Sequence, residues 1–344
     1  MKQKSTSLSR QDFLKILGYS TLGLGLETIL SACSPQTLVP APTSTATATQ
    51  ILTPIFNPTT APTQTNTPTA APTLNPEQAA AAARESRRLS LIEKYGPATR
   101  ALPLEFHGDY YYMLDGMYNM DPETFTWMME WFQANDVWSV NGAELAGFLD
   151  GTMELPARCV VLTTDSGYTS QESLTRMIPV LQHTEMHFIS LIWTARMTAA
   201  ETIACQEDAC WEKFRQARDS GVFTLGTHSE SHADFKKMDA APGLEELLQS
   251  KEEIETNLGV EVEYLSWPYE HCPTWADQLG DLGFKAAFGG RPRALDLCSV
   301  FAEDEMRWCL PRLLPPNRGT RQSSRPEGMT LEEMMRAYSD GFEE

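Results

Sequence analysis

The sequence has no C-x-x-C pair and no surplus of basic charge. Its 27 Lys and Arg stand against 46 Asp and Glu, a formal net charge of −19. Nucleic-acid binding needs a basic surface to neutralise phosphates, so that class is excluded, and anionic lipid headgroups are equally unsuited. Without C-x-x-C spacing a structural zinc ribbon is excluded as well. No apolar run makes a comfortable membrane span; the stretch from Phe13 to Leu30 is short and rich in glycine. From Ser34 to Pro76 the chain is Thr, Pro and Ala with almost no charge and few large apolar side chains. Such a segment cannot bury enough surface to offset the entropy of ordering, so residues 34–76 are expected to form a disordered, Thr/Pro-rich stalk.

What the amino terminus does contain is a targeting pattern. Lys2, Lys4 and Arg10 precede the apolar stretch, which ends in Leu30-Ser31-Ala32-Cys33. That ending resembles the lipobox of bacterial lipoproteins, which implies a signal segment over residues 1–33 and lipid attachment at Cys33. Ser9 to Lys15 also resembles a twin-arginine export signal, with Gln11 in the second arginine slot. The expected location is extracytoplasmic, with the chain tethered to the cell membrane through acyl chains. Six cysteines then remain: Cys159, Cys205, Cys210, Cys272, Cys298 and Cys309. An even number in an exported chain favours disulfides. Cys205 with Cys210 and Cys298 with Cys309 are the expected local pairs.

The rest reads as a helical lead-in over 77–99, one α/β domain over 100–320 and a tail with a short helix over 321–344. Asp121 and Pro122 form a helix start, cap and first turn, and Phe125, Met128, Met129 and Phe132 share one face. Cys159 to Thr163 is a continuous apolar run, as in a strand buried on both sides. Further strands are expected near residues 137–140, 187–192, 222–225, 264–266 and 286–288. Helices are expected at 172–181, 211–220, 244–258 and 275–282. Short strands alternating with helices predict a parallel sheet curled into a barrel, whose active groups gather at the carboxyl ends of the strands.

Three segments at strand ends carry chemistry. Thr163-Thr164-Asp165-Ser166-Gly167 ends a strand in a carboxylate and a turn glycine. His228-Ser229-Glu230-Ser231-His232 places two imidazoles four apart, able to face one divalent ion if the turn between them is helical. Trp267-Pro268-Tyr269 closes a third strand. In this order the segments resemble the motifs T-F-D-D-G, H-[ST]-x-x-x-H and P-Y of polysaccharide deacetylases, carbohydrate esterase family 4, the NodB-homology fold. The similarity runs from Leu104 to Leu314, with support from Phe106-His107 and from Gly283 to Phe288.

The resemblance implies a distorted (β/α) barrel and metal-dependent removal of N-acetyl or O-acetyl groups from a cell-surface or extracellular polysaccharide. Peptidoglycan, chitin-like glycan, poly-N-acetylglucosamine and acetylated xylan all fit it. It assigns Asp165 as general base, His228 and His232 as metal ligands and the amide of Tyr269 as an oxyanion donor. Trp193 and Trp267 become candidates to stack on a sugar ring. Two imidazoles with oxygen ligands suit zinc first, then nickel or cobalt.

Three departures accompany it. Ser166 stands where the family has its third metal ligand, an Asp. Ser266 replaces the arginine before P-Y. No histidine near Leu310 to Leu313 matches the late general acid, and His271 is the nearby substitute. One reading is an enzyme whose metal site is completed by His107 or Asp109. The other is a catalytically impaired surface lipoprotein that binds glycan without turnover. A solute-binding lipoprotein would share the anchor and stalk but gives no reason for three ordered motifs.

Overall fold

The computed structural model describes residues 75–107, 120–166, 171–195, 207–289, 293–296, 300, 304–316 and 328–342. The signal segment with Cys33, nearly all of the stalk, and Asp109 lie outside these residues. Among the described residues no helix is long and apolar enough to cross a membrane.

The strands are β1 (Arg100–His107), β2 (Trp138–Ser139), β3 (Cys159–Ser166), β4 (Phe188–Ile192), β5 (Phe223–Thr227), β6 (Tyr264–Ser266), β7 (Ala286–Phe288) and β8 (Leu295–Asp296). They lie in the order β7-β6-β5-β4-β3-β1-β8, with β2 on the start of β3. All pairs are parallel except β1 with β8. The helices are α1 (Pro76–Tyr95), α2 (Pro122–Ala134), α3 (Gly142–Leu149), α4 (Gln171–Thr184), α5 (Glu207–Asp219), α6 (Ala240–Leu258) and α7 (Leu331–Tyr338).

Both faces of the curled sheet are covered. Val160 and Leu162 of β3 join Leu102, Leu104 and Phe188 in a core under α2, α4, α5, α6 and α7. Cys159 and Val161, one residue out of phase, join Ala101, Leu191, Tyr264 and Phe288 in a second core with α3 and Leu91 of α1. The period-two alternation of a strand thus explains why β3 reads as an unbroken apolar run.

The open side of the curl is filled by an extended segment. Leu310 N–H donates to Ala287 O (2.8 Å) and Gly289 N–H to Leu310 O (2.8 Å). Leu313 N–H donates to Pro103 O (2.9 Å) and Glu105 N–H to Leu313 O (2.8 Å). Residues 310–313 therefore bridge β7 to β1.

Several local expectations change. Residues 276–282 form a 3-10 helix, ended by Gly283 at φ +83°, rather than an α-helix. Helix α3, which the sequence reading passed over, has a capping box between Asn141 and Glu144. The expected Cys298–Cys309 bridge is replaced by Cys272–Cys309, with Cα atoms 5.9 Å apart. Cys210 is also disulfide-bonded, to a partner outside the described residues, while Cys159 is a buried free thiol.

The tail is part of the barrel. Leu331, Met334 and Met335 of α7 enter the first core. Beyond it, Asp340 Oδ2 accepts from Thr99 N (2.6 Å), Thr99 Oγ1 (2.9 Å) and Arg100 N (2.9 Å), and Oδ1 from Arg100 Nε (3.0 Å). Asp340→Ala strands these donors at the entry to β1. It is expected to lower unfolding stability by about 1–3 kcal/mol, measured by urea denaturation. An unchanged midpoint would show that the tail is not needed to hold β1.

Candidate active site

The functional side chains stand at the carboxyl ends of β1, β3, β5 and β6. Pairing of β1 with β3 sets His107 opposite Asp165 and leaves Glu105 two residues earlier on the same face. His228 follows β5 directly, and its amide donates to Ile192 O at the end of β4 (2.7 Å). The turn carrying His232 is not helical: Ser229 and His232 adopt left-handed backbone at φ +71° and +59°. That bend still brings the rings of His228 and His232 to 4.8 Å, edge to face. Tyr269 and Glu270 are left-handed too, at φ +60° and +58°. Such conformations cost energy in non-glycine residues and gather at functional sites.

Together Glu105, His107, Asp165, His228, His232, Tyr269, Glu270 and Arg312 line an open cavity of about 330 Å³. Its floor is a buried ionic cluster. Arg312, on the segment that closes the barrel, donates from Nη1 to Asp165 Oδ1 (2.7 Å) and from Nη2 to Asp165 Oδ2 (3.0 Å). The same Nη2 lies 3.0 Å from Glu105 Oε1. Ser266 Oγ adds a hydrogen bond to Asp165 Oδ1 (2.8 Å).

Because that hydroxyl donates to Asp165, Nδ1 of His228 is left to donate, to Ser266 Oγ (2.6 Å) and Ser266 O (3.0 Å). Nε2 of His228 then carries the lone pair, 3.7 Å from Asp165 Oδ2. Burial pushes His228 down to about 4, against the pull of Asp165, so the ring is neutral near pH 7. Burial alone would raise Asp165. Arg312 and then His228 reverse that and hold its carboxyl well below the usual carboxylate range.

The expected site residues are distributed as follows. Asp165, His107, His228, His232 and Tyr269 share the cavity. Trp193 is half-buried with its ring 4.8 Å from that of His232. His271 lies outside the cavity lining, its Nδ1 on Asp234 Oδ1 (2.9 Å) and its ring 6.1 Å from that of Tyr269.

Two expectations are corrected. Ser166 is fully buried and accepts from Ser190 Oγ (2.9 Å), apart from the cavity lining. Trp267 is fully buried against Phe235 and Trp275, with Nε1 donating to Trp308 O (2.7 Å), so it offers no face to a sugar. Glu105, Glu270 and Arg312 were not singled out in the sequence. Neither was the role of Ser266 as the link between Asp165 and His228.

The donor set fits a divalent metal. Three imidazoles (His107, His228 and His232) and three carboxylates (Glu105, Asp165 and Glu270) line the cavity together with one guanidinium, Arg312. Imidazole nitrogens beside carboxylate oxygens are the ligands of catalytic zinc and its neighbours.

A curled sheet of parallel strands with its groups at these strand ends is the fold of NodB-type deacetylases. The polysaccharide deacetylase family model matches residues 152–287 of this chain. Among solved structures, the Streptococcus pyogenes deacetylase PplD in complex with acetate superposes with a TM-score of 0.54 at 13% identity, covering 63% of this chain and 93% of that one. A polysaccharide deacetylase from Bacillus cereus gives 0.51 at 18%, covering 62% and 64%. A de-N-acetylase from Aggregatibacter actinomycetemcomitans gives 0.50 at 15%, covering 62% and 94%. At these identities the likeness is one of fold. No curated protein matches the sequence.

Arg312→Met tests the ionic floor. Removing one partner of a buried pair is expected to cost about 3–5 kcal/mol at neutral pH. The sign with pH follows from Asp165. In the wild type its folded pKa is depressed, so its contribution is complete above the unfolded value of about 3.9 and does not change between neutral and mildly acidic pH. Without Arg312, burial raises the folded pKa, and protonation relieves the unpaired charge as pH falls. Chemical denaturation at the two pH values should show the deficit of Arg312→Met shrinking on acidification. A small deficit independent of pH would contradict the pairing.

Proposed function

We propose that this chain is a metal-dependent deacetylase of an N-acetylated or O-acetylated extracellular polysaccharide, held at the cell membrane by lipid on Cys33. The observation that carries the reading is Asp165, a buried ionised carboxylate 3.7 Å from the lone-pair nitrogen of His228, at the floor of an open cavity. The family match over residues 152–287 supports deacetylation as the chemistry.

A divalent ion on His228 and His232, with zinc first among the candidates, would polarise the acetyl carbonyl and acidify the attacking water. Asp165 takes the proton of that water at Oδ2. A carboxylate held so low is always ionised but is a weak base, so it serves best where the water is already acidified. Arg312 and Ser266 fix the plane of the Asp165 carboxylate. The backbone amide of Tyr269, on a left-handed turn lining the cavity, would be the donor to the developing oxyanion. His271, held at Nδ1 by Asp234 and 6.1 Å ring to ring from Tyr269, would be the acid that supplies a proton from Nε2 to the leaving nitrogen or oxygen. Trp193, half-buried beside His232, would be the ring that stacks on the sugar.

The test is acetate release from N-acetylglucosamine oligomers by the metal-loaded full chain. Asp165→Asn is expected to lower turnover by about 10²- to 10⁴-fold, with circular dichroism confirming a folded variant. The turned-away Ser166 favours the second reading, a glycan-binding protein without turnover. Oligomers that bind to wild type but release no acetate at any metal loading would establish it.

A further inference from the structure

The backbone amide of Tyr269 has a place in the chemistry proposed above, but its ring has none. We infer that this ring is a sugar-binding platform, which takes the apolar face of a pyranose at the mouth of the cavity. This rests on the reading that the cavity receives an acetylated glycan.

Among the described residues the large hydrophobic side chains left exposed are Leu89, Trp127, Leu248 and Tyr269, and Tyr269 is the most so, at 60%. It is also the one of the four that lines the cavity of Asp165, His228 and His232. A lone apolar side chain elsewhere on the surface needs no explanation, whereas one at the lip of a polar cavity does.

The backbone holds the ring there against local preference. Tyr269 and Glu270 are consecutive left-handed residues at φ +60° and +58°, an outlier for a bulky side chain. Glu270 N–H donates to Trp267 O (3.0 Å) and His271 N–H to Pro268 O (3.2 Å), and Cys272 is bridged to Cys309. Trp267, two residues earlier, packs fully buried against Phe235 and Trp275. The turn therefore sends one aromatic into the core and the other out to the cavity.

Neighbouring rings steady Tyr269 without covering it. Its ring lies 4.8 Å from that of His232, edge to face, and 6.1 Å from that of His271. Trp193 approaches the same His232 ring at 4.8 Å, so Tyr269 is a second aromatic beside that imidazole. A tyrosine has few rotatable bonds and gives a large contact area at little entropic cost. A pyranose presents C–H groups on its face and hydroxyls around its rim, which suits a flat ring with a polar tip.

Calorimetric titration of the full chain with N-acetylglucosamine oligomers and acetylated xylo-oligomers, under chelator and again with zinc, tests this. Tyr269→Ala is expected to weaken binding about tenfold, the size of a lost aromatic stacking contact. Tyr269→Leu, which keeps an apolar side chain but no ring, is expected to do the same and decides the matter if the alanine variant does not fold. Tyr269→Phe is expected to retain most of the affinity, and Trp127→Ala, which removes an exposed ring outside the cavity, to bind as wild type. Melting temperatures establish that each variant is folded. Equal affinity in wild type and folded Tyr269→Leu would overturn the inference while leaving the glycan reading intact. A loss in Tyr269→Phe as large as in Tyr269→Leu would assign the contact to the hydroxyl and overturn stacking. If the wild type binds neither glycan under either condition, the glycan reading fails and this inference fails with it.

Discussion

The site depends on one interaction, the two-pronged ion pair between Arg312 and Asp165 at the end of β3. Both groups are almost fully buried, 1% and 6% exposed at the side chain. Without a cation, burial would raise the pKa of a carboxylate in that position and favour its protonated form. With the guanidinium in place it stays charged, and its second oxygen is turned toward His228. Arginine suits the task because its planar fork reaches both carboxylate oxygens and Glu105 while always keeping its charge.

This makes closure of the barrel and assembly of the site one event. Arg312 belongs to residues 310–313, whose backbone bridges β7 to β1. The Cys272–Cys309 disulfide ties the start of that segment to the loop that carries Tyr269, Glu270 and His271. Trp267 adds a second tie through the Trp308 carbonyl. What the family motif places in the sequence just before P-Y is here Ser266, and the guanidinium arrives from a different stretch of chain. Ser266 has become the link that donates to Asp165 and accepts from His228 at its hydroxyl and carbonyl oxygens.

Much of this was legible in the sequence. A continuous apolar run marks β3 because both faces of that strand are buried, and the three ordered strand-end segments locate Asp165, His228 and His232. Arg312 was harder, since it lies about 150 residues from Asp165 and only closure of the sheet brings the two together. The available signal was local: Glu105 in Leu104-Glu105-Phe106 and Arg312 in Leu310-Pro311-Arg312-Leu313-Leu314 are single charges inside apolar runs, which suggests buried partners. Trp267 misled for the opposite reason. An aromatic at a strand end reads as a sugar platform, but packing against Phe235 and Trp275 decides its place. The pairing of Cys272 with Cys309 followed loop proximity in space, not spacing in sequence.

The most direct test is the ionisation of Asp165 itself. Aspartate labelled with ¹³C at the carboxyl carbon, with Asp165→Asn used for assignment, allows its chemical shift to be followed as the metal-free protein is acidified. If Arg312 governs the site, the Asp165 signal stays that of a carboxylate well below the usual midpoint of about 3.9. A midpoint at or above that value, in folded protein, would mean that burial wins over the ion pair and would contradict it.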